Sequence, residues 1–200
     1  MLKLDFENAF NTVDRAKALE QVRAHFPSFA RWAHWCYGNH TRLFFANMDI
    51  APATGVQQGD PLGPLLFALC IHPLVLRLHD KLREGAHADS SALSLFYLDD
   101  GILCGNADAV GASLRFVMDE CARLGLKLNL SKCELIAPAG HVSSDLFALF
   151  PRDLLVDENG DNRVVYEGGV EFLGAPLGSH AFCQGHAAAR VDQARACYMQ

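Results

Sequence analysis

The sequence lacks the closely spaced cysteines that mark a zinc ribbon or a disulfide framework. Its seven cysteines are scattered over 200 residues, and none forms a Cys-x-x-Cys pair. Structural zinc sites and small disulfide-rich domains need thiols close together. We therefore expect reduced core thiols in an intracellular protein.

The chain also lacks an uninterrupted apolar run long enough to cross a bilayer. A membrane-spanning helix needs roughly 20 predominantly apolar residues. The longest candidate, 62–78, is interrupted by glycine, proline, histidine and arginine. The first residues do not have the basic-then-apolar layout of a secretory signal. The sequence therefore predicts no membrane partner.

An excess of positive charge is missing as well. The chain has 17 Lys and Arg against 23 Asp and Glu, a net charge of −6. This balance runs against the basic surface expected of a nucleic-acid binder, in which Lys and Arg neutralise phosphates. Half of the residues are hydrophobic, which suffices for one well-buried domain.

Two adjacent acids stand between two short apolar runs in the segment 95–104. Asp99 and Asp100 are followed by Gly101, a pattern typical of a β-hairpin with glycine at its turn. Adjacent carboxylates repel each other, so keeping both ionised favours a nearby cation. Carboxylate oxygens suit Mg²⁺. Asp-Asp-Gly is also ordinary turn chemistry, so this segment alone leaves a plain turn open.

Another short strand ends in a third carboxylate. Leu2 and Leu4 alternate with a lysine, which predicts a strand that ends at Asp5. If this strand lies beside the hairpin, Asp5 meets Asp99 and Asp100. Three carboxylates on neighbouring strand ends make a plausible two-metal site of the kind that supports in-line nucleotidyl transfer.

The remaining pattern predicts an α+β fold. The order strand, helices, strand, strand, helix, strand is typical of a ferredoxin-like split β-α-β antiparallel sheet with helices packed on one face. We expect Thr12 or Asp14 to cap the first long helix, Pro73 to kink or divide the longest one, and Met118 to join an apolar helix face. Helices are predicted over 14–26, 28–37, 61–83, 107–124 and 184–200, strands over 132–137 and 170–173, and a hairpin over 42–54. The segment 138–169 is predicted to be irregular, with a solvated polar turn over 157–162.

Five segments resemble, in order, the motifs of reverse transcriptases, most closely those of non-LTR retrotransposons and related mobile elements. They are 5–10, in which an Asp precedes an aromatic by five positions, 55–67 around Gln-Gln-Gly-Asp-Pro-Leu, 97–100 (Tyr-Leu-Asp-Asp), 124–133 and 170–178. Five matches in order across nearly the whole chain are a specific signal. The resemblance implies a polymerase palm over 1–178, and the start of a thumb or a connecting helix over 179–200.

The resemblance implies catalysis by two Mg²⁺ ions, with Mn²⁺ as a substitute. Asp5, Asp99 and Asp100 would bind the ions, and Phe6 would contribute its backbone carbonyl. One ion would lower the pKa of a primer 3′-hydroxyl, and the other would stabilise the leaving pyrophosphate. Lys132 would lie near the pyrophosphate as a general acid, unless it is only a surface lysine at a strand start.

For the nucleotide, the resemblance implies three contact residues. Phe10 would lie beneath the incoming sugar, where a bulky ring clashes with a 2′-hydroxyl and favours dNTPs over rNTPs. Gln58 and Gly59 would form a loop that approaches template and nucleotide closely, which glycine allows. The alternatives are a core phenylalanine and a plain turn before a helix.

For the primer, the resemblance implies a grip that contains Phe172, Leu173 and Gly174, with a simple core strand as the alternative. Two positions depart from the usual family pattern. Gly63 stands where Ser is common, and Leu98 stands where Ala or Val is more common. Both changes would alter the packing around primer and nucleotide, and neither removes a metal ligand.

The expected partners are an RNA template, a DNA or RNA primer, and dNTPs. The first motif starts five residues from Met1, so we expect the fingers and most of the thumb in other parts of a longer polyprotein. Their basic residues would explain the acidic balance here. Two alternatives stay open: a catalytically incomplete palm remnant that acts as a structural or interaction module, and the palm of an RNA-dependent RNA polymerase or nucleotide cyclase. Phe10 and the 58–62 run favour reverse transcriptase over the latter.

Overall fold

The computed structural model describes residues 1–39, 43–45, 48–50, 54–85, 92–137, 143–166 and 168–198. Within these ranges the chain has an α+β fold. The strands are β1 (Leu2–Leu4), β2 (Leu43–Phe45), β3 (Met48–Ile50), β4 (Leu93–Tyr97), β5 (Asp100–Cys104), β6 (Glu134–Leu135), β7 (Gly169–Phe172) and β8 (Ala175–Gly178). The helices are α1 (Ala9–Thr12), α2 (Arg15–His25), α3 (Pro27–Tyr37), α4 (Leu62–Gly85), α5 (Ala107–Arg123), α6 (Ser143–Leu149), α7 (Arg152–Leu155) and α8 (His180–Tyr198).

Four strands form one antiparallel sheet in the order β4-β5-β1-β6. In the centre of the sheet, β1 pairs with both β5 and β6, and Leu4 lies opposite Gly101. Leu2 and Leu4 are fully buried, whereas Lys3 between them is partly exposed. This alternation is the one expected when a strand turns one face to the core, and it confirms the predicted first strand.

The helix α4 runs through the core and packs against α2, α5 and β4. By length and composition α4 could also cross a membrane, which its interrupted apolar run did not suggest. A core helix passes the same test, and α4 contributes a large share of the buried side chains of the core. They are Leu62, Leu66, Phe67, Cys70, Ile71, Leu74, Leu78 and Leu82. Pro73 lies inside α4 without dividing it, because buried residues on both sides of the proline hold the helix together.

Local signals set the boundaries of several helices. A carboxylate oxygen of Asp14 accepts hydrogen bonds from two backbone amides in the first turn of α2, at 2.7 and 3.2 Å. Asp14 is therefore the cap, whereas the Thr12 hydroxyl bonds to a carbonyl of its own turn. Beyond the end of α5, Gly125 has a φ of 72°, as expected of a residue that terminates a helix.

The segment after β6 differs most from the sequence prediction. An irregular chain was expected over 138–169, but 143–155 contain α6 and α7. Helices this short are unstable alone, and burial of four apolar side chains holds them against the core. These side chains are Leu146, Phe150, Leu154 and Leu155. The polar turn over 157–162 is confirmed by amides that donate to the Asp157 carboxylate.

Three smaller differences concern element ends and faces. The strand predicted over 132–137 shortens to β6, and Met118 is exposed on α5 rather than buried. The predicted hairpin over 42–54 is present as β2 and β3, although its residues 42, 46–47 and 51–53 lie outside the described ranges. So do 138–142, 167 and 199–200.

Candidate active site

The pairing of β1 with β5 brings the predicted acids to one edge of the sheet. Leu4 lies opposite Gly101, so the antiparallel register continues with Asp5 opposite Asp100. Asp99 precedes Asp100 in the turn between β4 and β5. Three carboxylates therefore share one edge of the sheet, as the two strand-end patterns predicted.

The charges of Asp5 and Asp99 act on Asp100, whose pKa is raised. Burial raises the pKa of Asp100 most, the charges of Asp99 and Asp5 raise it further, and Lys3 lowers it. A cation would relieve this repulsion, and carboxylate oxygens are ligands that Mg²⁺ prefers. The residues thus fit a divalent metal. In their present positions, however, no three acidic, histidine or cysteine side chains of the described residues surround one point.

The turn that carries Asp99 differs from the expected one. Only Leu98 and Asp99 connect β4 to β5, and Leu98 has a φ of 55°. This left-handed conformation is unusual for a large side chain and stores backbone strain beside the acids. Gly101, expected at the turn, lies within β5. A Cβ atom there would lie 2.6 Å from the Phe96 ring, so packing explains this glycine.

The backbone of Asp5 is held by the chain that follows α5. The Asn129 amide donates to the Asp5 carbonyl at 2.9 Å, and the Glu7 amide donates to the Lys127 carbonyl at 2.8 Å. These two bonds form an antiparallel bridge at Phe6. They involve its two neighbours, so the Phe6 carbonyl takes no part in the bridge.

Lys132 lies in the turn 129–133 and is exposed. Its side chain forms no hydrogen bond or ion pair with any residue that the structure describes. The structure therefore connects Lys132 to the acids only through the backbone of its turn, and does not bring its ammonium group against them.

The three predicted nucleotide residues line a common cavity. Phe10, Gln58 and Gly59 surround an open space of about 440 Å³. The Phe10 ring stacks on Phe67, with centroids 4.7 Å apart. The Val56 amide donates to the Phe10 carbonyl at 2.6 Å, which joins α1 to the loop before α4. The cavity thus combines two motifs that are 48 residues apart from Phe10 to Gln58.

Tyr37 and Arg15, which the sequence patterns did not single out, hold the loop before α4 in place. The Tyr37 hydroxyl donates to the Asp60 carboxylate and accepts from the Gln57 amide at 3.3 Å. The Arg15 side chain donates to the Gly55 carbonyl, and its guanidinium lies 5.7 Å from the centre of the Tyr37 ring. Burial, followed by the bond to Asp60, raises the pKa of Tyr37 to about 12. No local spacing could reveal contacts between residues 23 and 40 positions apart.

The predicted primer-grip residues lie in the hairpin of β7 and β8. Phe172 ends β7, and Leu173 and Gly174 form the two-residue turn with φ values of 53° and 77°. Leu173 is half exposed, so this tip is not a simple core strand. The Glu171 carboxylate of β7 pairs with the His186 ring of α8 at 3.0 Å, so the hairpin is joined to the last helix.

Comparison with known sequences identifies the family. The profile of the family described as "Reverse transcriptase (RNA-dependent DNA polymerase)" matches residues 1–177. This chain belongs to the reverse transcriptase family. Two relatives are polyproteins of R2 elements, and both are named "Retrovirus-related Pol polyprotein from type-1 retrotransposable element R2". The one from Nasonia vitripennis is 31% identical over 145 residues, which are 68% of this chain and 14% of the relative.

The relative from Popillia japonica is 30% identical over 149 residues, which are 70% of this chain and 24% of the relative. A polyprotein of element R2DM from Drosophila melanogaster is 28% identical over 145 residues, again 68% and 14% of the two chains. The predicted non-LTR type of reverse transcriptase is thereby confirmed. The chain spans only 14% to 24% of these curated relatives.

Solved telomerase structures share the fold. Apo telomerase from Candida tropicalis superposes with a TM-score of 0.60 at 13% identity, covering 88% of this chain and 31% of that one. Telomerase from Candida albicans, in complex with a fragment of telomeric RNA, gives a TM-score of 0.52 at 11% identity, with 89% and 30% covered. At such low identity the likeness concerns the fold alone, and that fold is a polymerase palm.

Proposed function

We propose that this chain is the RNA-directed DNA polymerase domain of a retrotransposon-like element, and that it transfers nucleotides from dNTPs to a primer 3′-hydroxyl. The observation that carries the proposal is the register of β1 and β5, which sets Asp5 opposite Asp100 and close to Asp99. Family membership supports a polymerase, and the shared sheet edge supports metal-dependent chemistry. The catalytically incomplete remnant is less favoured, because the acids and the nucleotide cavity occur together.

The proposed cofactors are two Mg²⁺ ions, which Mn²⁺ could replace. Asp5 and Asp99 would hold the ions, with Asp100 beside them and the Phe6 carbonyl as an additional oxygen ligand. When bound, such ions activate the attacking hydroxyl and stabilise the leaving pyrophosphate. The raised pKa of Asp100 supports this assignment, because a cation would offset the repulsion that contributes to it.

The remaining residues have proposed roles around this centre. Phe10 would exclude the 2′-hydroxyl, and Gln58 and Gly59 would contact nucleotide and template; their common cavity supports this grouping. Lys132 would protonate the leaving pyrophosphate, a role supported by the backbone link from its turn to Asp5.

Phe172, Leu173 and Gly174 would grip the primer. The exposure of Leu173 supports a contact surface at this tip. The proposed partners are therefore an RNA template, a DNA or RNA primer, and dNTPs. The names of the relatives as Pol polyproteins support a longer protein that supplies fingers and thumb.

We also propose that the palm occupies 1–178 and that 179–200 begin a thumb or connecting helix. In support, α8 buries none of its described residues and packs mainly on β8. The strand order supports a ferredoxin-like split β-α-β sheet with helices on one face. All seven cysteines fall in the described ranges and none is bonded to another, which supports an intracellular location.

Primer extension tests the proposed activity. The full-length polymerase and this chain are each given an RNA template, a primer, dNTPs and Mg²⁺. We expect extension by the full-length protein, its loss in Asp99→Asn, and its retention in Asp119→Asn, which makes the same change on the exposed side of α5. Extension by Asp99→Asn at the wild-type rate would remove Asp99 from the mechanism. A preference for rNTPs would favour an RNA polymerase.

A further inference from the structure

Arg163 lies between α7 and β7 and connects two distant parts of the backbone. Its guanidinium donates to the carbonyls of Leu130, Ser131 and Cys133, in the turn after α5, and to the carbonyl of Asp153 in α7. The bond to Asp153 is 2.5 Å long, and those to Leu130 and Cys133 are 3.4 Å long. One side chain therefore joins α7 to the turn 129–133.

That turn contacts both sides of the Asp5 main chain. The Asn129 amide donates to the Asp5 carbonyl at 2.9 Å, and the Asp5 amide donates to the Cys133 sulfur at 3.4 Å. The amides of Lys132 and Cys133 both donate to the Asn129 carbonyl, at 2.9 and 3.0 Å. Arg163 therefore bonds to the same turn that bonds to the Asp5 main chain and that contains the backbone of Lys132.

Arginine is well suited to such a contact. Its guanidinium is planar, always charged and carries five donors in a rigid arrangement, whereas a lysine ammonium is a point charge on a flexible stem. Bonds from a charged donor are also stronger than neutral ones. Arg152 and Arg163 both border an open cavity of about 670 Å³ beside this turn, but the Arg152 side chain forms no bond with any described residue. It provides a matched control for the charge.

We propose that Arg163 is a positioning residue for nucleotidyl transfer, which fixes the main chain of Asp5 and the turn that bears Lys132. This inference rests on the proposed function. It gives the segment 143–166, predicted to be irregular, a part in the site: Arg163 holds the turn, and the Asp153 carbonyl of α7 anchors the Arg163 side chain. Loss of Arg163 would loosen Asp5 without removing any ligand or substrate contact.

Amide hydrogen exchange of this chain tests the positioning directly. The peptide 127–135 is followed by mass spectrometry in wild type, Arg163→Met and Arg152→Met, without metal or substrate. We expect exchange in the turn to be about tenfold faster or more in Arg163→Met, and unchanged in Arg152→Met. Urea unfolding of each variant separates local opening from global loss of stability. If Arg163→Met does not fold, Arg163→Lys replaces it, and we expect a smaller acceleration of exchange in the same turn.

Single-turnover nucleotide incorporation by the full-length polymerase tests the consequence. We expect Arg163→Met to lower the maximal rate about tenfold or more and to leave the apparent dNTP affinity unchanged, with partial recovery in Arg163→Lys. Arg152→Met should change neither value. If the effect came only from the loss of a positive charge near the nucleic acid, Arg163→Met and Arg152→Met would change these values to a similar extent.

Unchanged exchange in the turn of Arg163→Met, or equal effects of the two arginine variants, would overturn the proposal. A fall in dNTP affinity at an unchanged maximal rate would overturn it as well. If the wild-type polymerase incorporates no nucleotide, the proposed function fails, and the exchange experiment still decides whether Arg163 holds Asp5 in place.

Discussion

Phe10 of α1 stacks on Phe67 of α4, with the two ring planes within 14° of parallel. Phe67 is fully buried in the core helix, whereas Phe10 is half-buried and borders the cavity formed with Gln58 and Gly59. Phe67 cannot move without disturbing the core. The stack therefore fixes the position of the Phe10 ring at the edge of the cavity.

Phe10→Ala should weaken discrimination against ribonucleotides. Removing the ring opens space for a 2′-hydroxyl, and we expect the ratio of dNTP to rNTP incorporation, measured as kcat/KM, to fall about tenfold or more. Phe29→Ala makes the same truncation in α3, where the ring packs on Trp32 away from the cavity, and should preserve the ratio. An unchanged ratio in Phe10→Ala would exclude this ring as the sugar gate.

Tyr37→Phe should impair nucleotide binding more than folding. The change removes the bond to the Asp60 carboxylate and the acceptor for the Gln57 amide. We expect a several-fold higher KM for dNTP and a loss of about 1 kcal/mol in unfolding free energy. Steady-state kinetics and urea unfolding measure the two effects.

The control for this change is Tyr166→Phe, because the Tyr166 hydroxyl forms no bond with any described residue. It should leave KM unchanged. Since the pKa of Tyr37 is about 12, the hydroxyl remains a donor up to about pH 10, and no titration of Tyr37 should appear in the KM profile below that pH. An equal rise in KM for both variants would contradict the loop assignment.

Asp100→Asn should stabilise the metal-free protein at neutral pH. Burial and the charges of Asp99 and Asp5 raise the pKa of Asp100 in the folded state, so its ionised form is less favourable there than in the unfolded chain. Wild type therefore gains stability as pH falls through this raised pKa towards the ordinary aspartate value of about 3.9. Asp100→Asn has no carboxylate at this position, so it lacks the gain in stability that protonation of Asp100 gives the wild type.

Urea unfolding in EDTA at pH 7 and pH 4 measures this difference. At pH 7 we expect a gain of about 1 kcal/mol or less, because solvent screens a partly exposed carboxylate. The gain should shrink at pH 4, and Asp119→Asn should show neither effect. A variant less stable than wild type at pH 7 would mean that the Asp100 carboxylate is favourably bound in the folded protein.

Gly63→Ala should destabilise the start of α4. A Cβ atom at this position would lie 2.8 Å from the Gln57 carbonyl oxygen, and backbone cannot yield as a flexible side chain does. We expect a loss of about 1–3 kcal/mol in thermal or urea unfolding. A serine would place its Cβ atom against the same carbonyl, so the close approach of Gln57 accounts for glycine at this position.

The matched control is Gly185→Ala in α8, where a Cβ atom meets nothing within 4 Å. Alanine favours helix, so this variant should be neutral or up to about 1 kcal/mol more stable. Gly63→Ala should therefore lower the free energy of unfolding, whereas Gly185→Ala should leave it unchanged or raise it. A neutral Gly63→Ala would show that the loop before α4 can move aside.

Local patterns predicted those features that depend on neighbours in the chain. Alternation of Leu2 and Leu4 with a polar residue identified β1, the carboxylate of Asp14 identified the start of α2, and Gly125 identified the end of α5. The same local reading failed for Gly101, whose requirement comes from the Phe96 ring across the hairpin. It also failed for α6 and α7, which are too short to reveal themselves and depend on burial of Leu146, Phe150, Leu154 and Leu155.

The sequence by itself predicted that Asp5, Asp99 and Asp100 share one edge of the sheet, because each carboxylate follows a short apolar strand pattern and lies in a motif that resembles the family. Only the tertiary structure decided how the site is held. The register of β1 and β5, the bond from Tyr37 to Asp60, and the contacts of Arg163 with the turn 129–133 join residues that are 23 to about 100 positions apart. Such contacts form only when the core brings distant segments together, and no local pattern encodes them.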